Sequence, residues 1–288
     1  MIRIADDWTD YQIIATGDGM KLERWGDVIL LRPDPQIIWP AAFDLYAYKG
    51  INAVYKRSNE GGGIWKYLRP VPDNLTVERR SLKFGLKLMG FKHTGLFPEQ
   101  AVNWDLMTSL IEEAARQVNV LNLFAYTGGA TLACAKAGAN VCHVDAAKAM
   151  VERAGMNARM SAIPANSVRY IIDDCIKFVN RELRRGKKYD AVIMDPPSFG
   201  RGPSGEIWRM EDNIYELVKL TTKVLSDNPL FFLINSYTTG LQPSVLKNIL
   251  QLNLDNKGGV CEAYEVALPT DEKIVLPCGC SGLYIFNR

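Results

Sequence analysis

The stretch from Val120 to Asp145 most constrains what this chain can fold into. An apolar run, Val120–Ala125, meets a glycine pair, Gly128-Gly129. An Ala-rich helical stretch closed by Gly138 follows, and a second apolar run, Asn140–Asp145, ends in a carboxylate. That order of periods predicts a βαβ unit, in which the loop after the first strand and the acid at the tip of the second face the same ligand.

Side-chain chemistry narrows that ligand. Gly128 and Gly129 carry nothing that would keep a ligand off the loop backbone, and the helix that follows opens with unpaired amide N–H groups. Asp145 stands where a carboxylate reaches ribose hydroxyls. The loop is not Gly-x-Gly-x-x-Gly, because Ala130 and Ala133 follow the pair, and no Gly-Lys-Ser/Thr phosphate cradle occurs. A nucleoside without phosphates suits it better than a dinucleotide or a triphosphate, and S-adenosylmethionine is the common candidate of that kind.

With 288 residues, 48% of them hydrophobic, the chain can bury one large core and a smaller one. Its net charge of +2 gives no global basic field, but charge is unevenly placed. Between Lys56 and His93 nine Lys/Arg face three acids (Glu60, Asp73, Glu78), so this segment carries +6 and the remainder −4. Six scattered cysteines make neither a disulfide framework nor a zinc-finger spacing. No apolar run has the length of a signal-peptide core or a membrane span, so the expectation is a soluble, cytoplasmic protein with no metal.

Residues 1–74 read as a small β-rich, antiparallel subdomain, with short runs at Tyr11–Ile14, Val28–Leu31, Gln36–Trp39 and Ala53–Tyr55 between Gly and Pro breakers, among them Gly61-Gly62-Gly63. Residues 75–103 add a hairpin and a segment expected to lean over the ligand pocket. From about 104 helix and strand signals alternate. Helices are expected at Trp104–Arg116, Ala130–Ala137, Lys148–Met160, Ile176–Arg185, Asp212–Leu225 and Pro243–Leu252. Strands are expected at Val120–Ala125, Asn140–Asp145, Val168–Asp173, Tyr189–Asp195 and Leu230–Asn235, with a closing pair at Ala263–Ala267 and Leu283–Phe286. The rhythm predicts an α/β, Rossmann-like, mostly parallel sheet over 75–288, with an antiparallel C-terminal strand and the ligand at the strand carboxyl ends.

The second diagnostic stretch is Tyr189-Asp-Ala-Val-Ile-Met-Asp195-Pro196-Pro197-Ser198-Phe199. Here an apolar strand stops in an acid and two prolines, which lack N–H groups and leave carbonyl acceptors at the strand end. An exocyclic amino group of a base could donate to Asp195 and the Pro196 carbonyl while Phe199 stacks on the ring. An ordinary strand-ending turn is the plainer account of the same residues.

These stretches resemble the class I S-adenosylmethionine-dependent methyltransferases, and among them the bacterial 23S rRNA group of cytosine-C5 and guanine-N7 enzymes. The resemblance rests on Lys92-His-Thr-Gly-Leu-Phe-Pro-Glu-Gln100, Leu121–Gly129, Val144-Asp145, Asp173-Asp174 and Asp195–Phe199, and covers about residues 75–288. It implies a cofactor site in which Asn122 and the loop Phe124, Ala125, Tyr126, Thr127, Gly128 line the methionine part. Asp145, with Ala146, would hold the ribose. Asp174 would accept from the adenine amino group while the Cys175 backbone caps the ring, and Phe97 and Gln100 would close the pocket. Asp195, Pro196, Pro197 and Phe199 would carry the transfer, Asp195 also facing the sulfonium.

Two departures shape the expected reaction. Cytosine-C5 enzymes need a thiolate that adds to C6, and where relatives place that cysteine this chain reads Asn235-Ser236-Tyr237. The PUA domain that heads the cytosine enzymes is not evident in residues 1–70. Nitrogen is therefore the expected acceptor. RNA, 23S rRNA in particular, is the expected partner, with no membrane and with a homodimer compatible. A small-molecule or protein methyltransferase is the alternative, and a non-catalytic cofactor-sensing or RNA-chaperone protein a third.

Several residues have two readings. His93 reads as structural or phosphate-facing rather than as a base, and His143 as packing. Asp174 is equally an ordinary helix N-cap. Cys278-Gly-Cys280 reads as a metal half-site or a displaced nucleophile, with no partner pair at zinc spacing. Lys177, Arg181, Arg184, Arg185, Lys187 and Lys188 read as helix solvation. The basic segment, interleaved with Tyr55, Trp65, Tyr67, Phe84 and Phe91, has the composition of a nucleic-acid surface, and a solvated face explains it almost as well.

Overall fold

The computed structural model describes residues 1–58, 62–90, 92–201 and 207–287; Glu60, Gly61 and Phe91 lie outside the described residues. The first strands are β1 (Ile2–Ile4), β2 (Tyr11–Gly17), β3 (Met20–Trp25), β4 (Val28–Pro33), β5 (Ile51–Arg57), β6 (Gly63–Tyr67), β7 (Thr76–Arg79) and β8 (Leu82–Gly85). Then come α1 (Ala101–Glu113), β9 (Asn119–Leu123), α2 (Gly129–Lys136), β10 (Asn140–Asp145), α3 (Lys148–Met160), β11 (Val168–Ile172), α4 (Cys175–Arg184) and β12 (Ala191–Met194). The chain closes through β13 (Phe199–Arg201), β14 (Ile207–Arg209), α5 (Met210–Thr221), β15 (Phe231–Ser236), α6 (Pro243–Leu254), β16 (Gly259–Pro269) and β17 (Val275–Phe286).

Two compact units emerge. One, here the sheet unit, comprises Met1–Arg3, Val102–Val266 and Gly279–Arg288; the other, the N-terminal unit, comprises Ile4–Ala101 and Ala267–Cys278.

In the N-terminal unit five strands pair in the order β2-β3-β4-β5-β6 over a core of Ala15, Leu22, Leu31, Leu45, Ile51 and Val54, and β7 and β8 form a separate hairpin. The expected antiparallel pattern needs one correction, since β4 and β5 run parallel. The strand expected at Gln36–Trp39 is absent. Pro33 and Pro35 remove two ladder donors, and the Asp34 carboxylate accepts from the Gln36 N–H at 3.2 Å, which turns the chain instead. β3, Met-Lys-Leu-Glu-Arg-Trp, was not legible because its charges are inside: Lys21 is 8% exposed and Glu23 fully buried. Lys21 pairs with Asp34 at 2.9 Å, and Glu23 pairs with Arg32 and accepts from the Tyr11 hydroxyl at 2.9 Å. Burial opposes ionisation of Glu23, yet Arg32 and Lys21 hold its carboxyl below the ordinary range.

The sheet unit contains an eight-stranded sheet in the order β1-β16-β17-β15-β12-β9-β10-β11. The central strands β12, β9, β10, β11 and β15 are parallel, and β17 enters antiparallel to β15. β12 is buried throughout, the all-apolar signature of a parallel strand covered on both faces. From β9 the chain winds outward through β10 and β11, then returns to β12 on the other side of β9. That reversal opens a crevice at the carboxyl ends of β9 and β12. Helix starts and stops obey local chemistry: Asp174 caps α4, and Pro243 opens α6. Among the described residues no helix is long and apolar enough to cross a membrane.

Candidate active site

The loop after β9 has a strained and heavily tied backbone. Phe124, Tyr126 and Gly128 all lie in the left-handed region, at φ of 54°, 50° and 92°. Tyr126 donates its N–H to Asp145 Oδ2 at 2.8 Å, Phe124 donates to the Cys175 sulfur at 3.4 Å, and Ala125 donates to the Val144 carbonyl at 3.0 Å. On the other side the Asp195 N–H reaches the Leu123 carbonyl at 3.4 Å. The ends of β9, β10, β11 and β12 are thereby bound into one rim, which gathers Phe124–Gly128, Asp145, Ala146, Asp174, Cys175 and Asp195–Phe199.

Asp145 uses one oxygen on Tyr126 and the other on the Ala147 N–H, at 2.8 Å each. Burial raises its carboxyl, and the two amides oppose that shift. A carboxylate offers about four lone-pair sites, so acceptor capacity remains for hydroxyls. Asp174 accepts from the Lys177 N–H at 2.8 Å, the expected N-cap, and stays half-buried. Cys175 is buried, and that burial pushes its thiol up.

The glycine pair has a further structural role that the sequence did not reveal. A Cβ on Gly129 would stand 2.6 Å from the Trp104 ring of α1, and one on Gly128 would stand 3.0 Å from Ala154 and Leu132. Packing against Trp104 excludes a side chain at Gly129, and at Gly128 close packing and a φ of 92° together disfavour one. Asn122 has a contact that the sequence did not reveal. It is 2% exposed, and its amide donates to Thr131 Oγ1 at 2.9 Å, which in turn lies 2.9 Å from His143 Nδ1. It braces α2 from behind the loop. His143 is fully buried, as expected of a packing residue, and burial lowers its pKa to about 4.

Beyond β12, Pro196 is buried while Pro197, Ser198 and Phe199 are exposed, Phe199 to 53%. Trp208, which sequence reasoning missed, donates its indole N–H to the Pro197 carbonyl at 2.6 Å and packs on Phe124 with ring centroids 5.6 Å apart. It joins the two loops, and its only sequence signal was an aromatic just downstream of Asp-Pro-Pro. Ser198 is held by the Thr238 hydroxyl at 2.9 Å.

Asn235, the first of the three residues where the resemblance implies a cysteine in relatives, belongs to a buried network. Its Oδ1 accepts from Ser281 at 2.8 Å and from Asn103 at 3.2 Å, and the Tyr264 hydroxyl donates to Asn103 at 2.6 Å. Cys280 pairs in register with Ser236, and burial pushes its thiol up to about 11, far from a thiolate at neutral pH.

Phe97 and Gln100 belong to the N-terminal unit. Phe97 is half-buried with its ring 5.6 Å from that of His93, and Gln100 is 6% exposed. Burial, with Arg32 and Lys92 nearby, lowers His93 to about 4, so it stays neutral. Among the described residues no group of three His, Cys, Asp or Glu side chains is arranged to hold a metal.

The family model for S-adenosylmethionine-dependent methyltransferases matches residues 47–242. The chain belongs to this family. S-adenosylmethionine is its cofactor, and the rim fits that molecule: a carboxylate with acceptors to spare, an aromatic wall at Phe124, and no phosphate cradle. Its fold is shared by a S-adenosylmethionine-dependent methyltransferase of Agrobacterium tumefaciens, with a TM-score of 0.92 at 29% identity over 99% of this chain and 93% of that one. A ribosomal RNA large subunit methyltransferase K/L of Shewanella frigidimarina is 26% identical over 232 residues, 77% of this chain and 31% of that protein. A ribosomal RNA large subunit methyltransferase I of Photobacterium profundum is 31% identical over 137 residues, 46% of this chain and 33% of that protein. The chain spans about a third of the length of these curated relatives.

Proposed function

We propose that this methyltransferase acts on a base of ribosomal RNA, in the large subunit, at a nitrogen. The observation that carries the reading is the open Asp195–Phe199 loop beside the rigid cofactor loop: a half-buried carboxylate and an exposed aromatic ring lie at the switch point of the sheet. The names of the curated relatives support RNA as the acceptor. Asn235 in a buried network and a protonated Cys280 favour nitrogen over cytosine C5.

S-adenosylmethionine supplies an electrophilic methyl on a positive sulfonium. In this proposal Asp145 and Ala146 hold the ribose, Asn122 through Gly128 shape the methionine side, and Asp174 and Cys175 flank the adenine, with Phe97 and Gln100 as further cofactor residues. Asp195 and the Pro196 carbonyl accept from the base amino group and Phe199 stacks on the ring, so that a nitrogen lone pair lines up with the methyl. Alignment is the main contribution, because the leaving thioether is neutral and little base catalysis is needed. A cytoplasmic location and a homodimer belong to the same proposal.

Incubation with labelled cofactor and undermethylated ribosomal RNA, followed by nucleoside analysis, tests it. Asp195→Ala is expected to lower transfer by about 10²-fold or more while cofactor binding survives. Normal methylation by that variant sinks the role of the loop, and a 5-methylcytidine product sinks the nitrogen assignment. The nearly balanced net charge of +2 favours a second reading, a small-molecule or protein acceptor. RNA binding without a steep salt dependence would support it.

A further inference from the structure

Five cations of the N-terminal unit meet carboxylates. Lys21 meets Asp34, Arg32 meets Glu23, Arg79 and Arg80 both meet Asp7, and Lys83 meets Glu78. One edge of its five-stranded sheet is different. Lys56 and Arg57 end β5, Lys66 lies on the edge strand β6, and Arg69 follows it; all four are exposed, and none has an ion-pair partner among the described residues. The pairing of Lys56 with Ile64 and of Val54 with Lys66 puts Lys56 and Lys66 diagonally on one face, roughly 7–8 Å apart at their backbones.

Edge protection alone does not account for this. Lysine on an edge strand discourages strand addition, which explains Lys66, but Lys56 and Arg57 belong to an interior strand and Arg69 to the chain beyond. Exposed apolar side chains are interspersed: Ile64 at 70%, Tyr67 at 57% and Leu68 at 50%.

The aromatics that the sequence had placed on such a surface are mostly committed elsewhere. Tyr55 is 3% exposed and donates to the Gly90 carbonyl at 2.5 Å, Trp65 donates to the Met89 carbonyl at 2.8 Å, and Phe84 is fully buried. With the Arg32 guanidinium on the Lys92 carbonyl at 2.9 Å, Tyr55 and Trp65 hold the chain by the carbonyls of Met89, Gly90 and Lys92. Tyr67 alone of the described set is widely exposed. The surface therefore offers cations and little stacking, the composition of a phosphate-tracking rather than a base-reading contact.

We propose that the edge formed by Lys56, Arg57, Lys66 and Arg69 binds the phosphate backbone of the RNA acceptor. This rests on the RNA reading given above and adds the surface that would hold the substrate. Charge complementarity selects the occupant, because four cations within fourteen residues, unpaired among the described residues, meet a polyanion. The same residues have no role in the cofactor rim.

The test is binding of a labelled large-subunit ribosomal RNA fragment across a salt series. In the variant Lys56→Ala/Arg57→Ala/Lys66→Ala/Arg69→Ala the slope of log K against log salt is expected to fall by roughly two to three, at about 0.7 per single-strand phosphate contact, with affinity down by about tenfold or more. Calorimetric affinity for S-adenosylmethionine and the melting curve should be unchanged. Lys56→Arg/Arg57→Lys/Lys66→Arg/Arg69→Lys should retain most of the binding, and Arg184→Ala/Lys187→Ala, on the other unit, should leave it intact. An unchanged slope in the fourfold alanine variant overturns this surface while leaving the RNA reading standing, as does an equal loss in the Arg184/Lys187 variant. Wild-type protein that shows no salt-dependent RNA binding overturns the RNA reading itself.

Discussion

The loops after β9 and β12 leave neighbouring strands at the same end of one sheet, yet they are built in opposite ways. The first has three residues at positive φ, amides fixed on Asp145 and on Cys175, and glycines wedged against Trp104, Ala154 and Leu132. The second is two prolines followed by exposed Ser198 and Phe199, secured at the side by Trp208 and Thr238. Preorganisation suits a ligand that is the same in every turnover, and an open loop suits an acceptor that arrives as part of a larger molecule.

Three perturbations break or sharpen that contrast. The support of the rigid loop should be the more acid-sensitive. His143 has a pKa of about 4 when buried against 6.5 unfolded, so the unfolded chain binds the extra proton between those values. Its contribution is fully present above about pH 6.5 and is lost as pH falls towards 4, a difference on the order of 3 kcal/mol. Denaturant unfolding at pH 7 and pH 5 should show the loss, and His143→Gln should flatten that part of it. Next in size, Asp145→Ala should weaken S-adenosylmethionine binding by about 2 kcal/mol, roughly 30-fold in Kd, because the Tyr126 and Ala147 amides lose their acceptor together with the ribose. Calorimetry reads this directly, and an unchanged Kd would deny the rim its organising carboxylate. Trp208→Ala should have the smallest effect, about 1 kcal/mol on transfer with cofactor affinity retained. If Trp208→Ala impairs cofactor affinity as much as transfer, the two loops are one device and the contrast fails.

Most of the sheet unit was legible because parallel strands and their helices write long apolar runs and clean periods. β10 and α3 fall where Asn140–Asp145 and Lys148–Met160 placed them. Loop chemistry was legible as residue type, and Asp174 is the N-cap that its position suggested. Long-range pairing was not. β3 hides Lys21 and Glu23 behind partners eight or more residues away, and Tyr55, Trp65 and Phe84 read as a surface although the fold spends them on holding or filling the interior. Trp208 escaped because its partners, Phe124 and Pro197, are set by the fold and not by spacing.

The hairpin of β16 and β17 has a consequence for how the chain is made. Its tip, Ala267–Cys278, belongs with Ile4–Ala101, where Thr270 bridges Ile13, Asp271 accepts from Gln12 at 2.8 Å and Glu272 accepts from Thr16 at 2.6 Å. A ribosome delivers that tip only after all of Val102–Val266 has been synthesised. The N-terminal unit therefore waits, incomplete, through the synthesis of nearly the whole sheet unit, and the order of completion is not the order of translation.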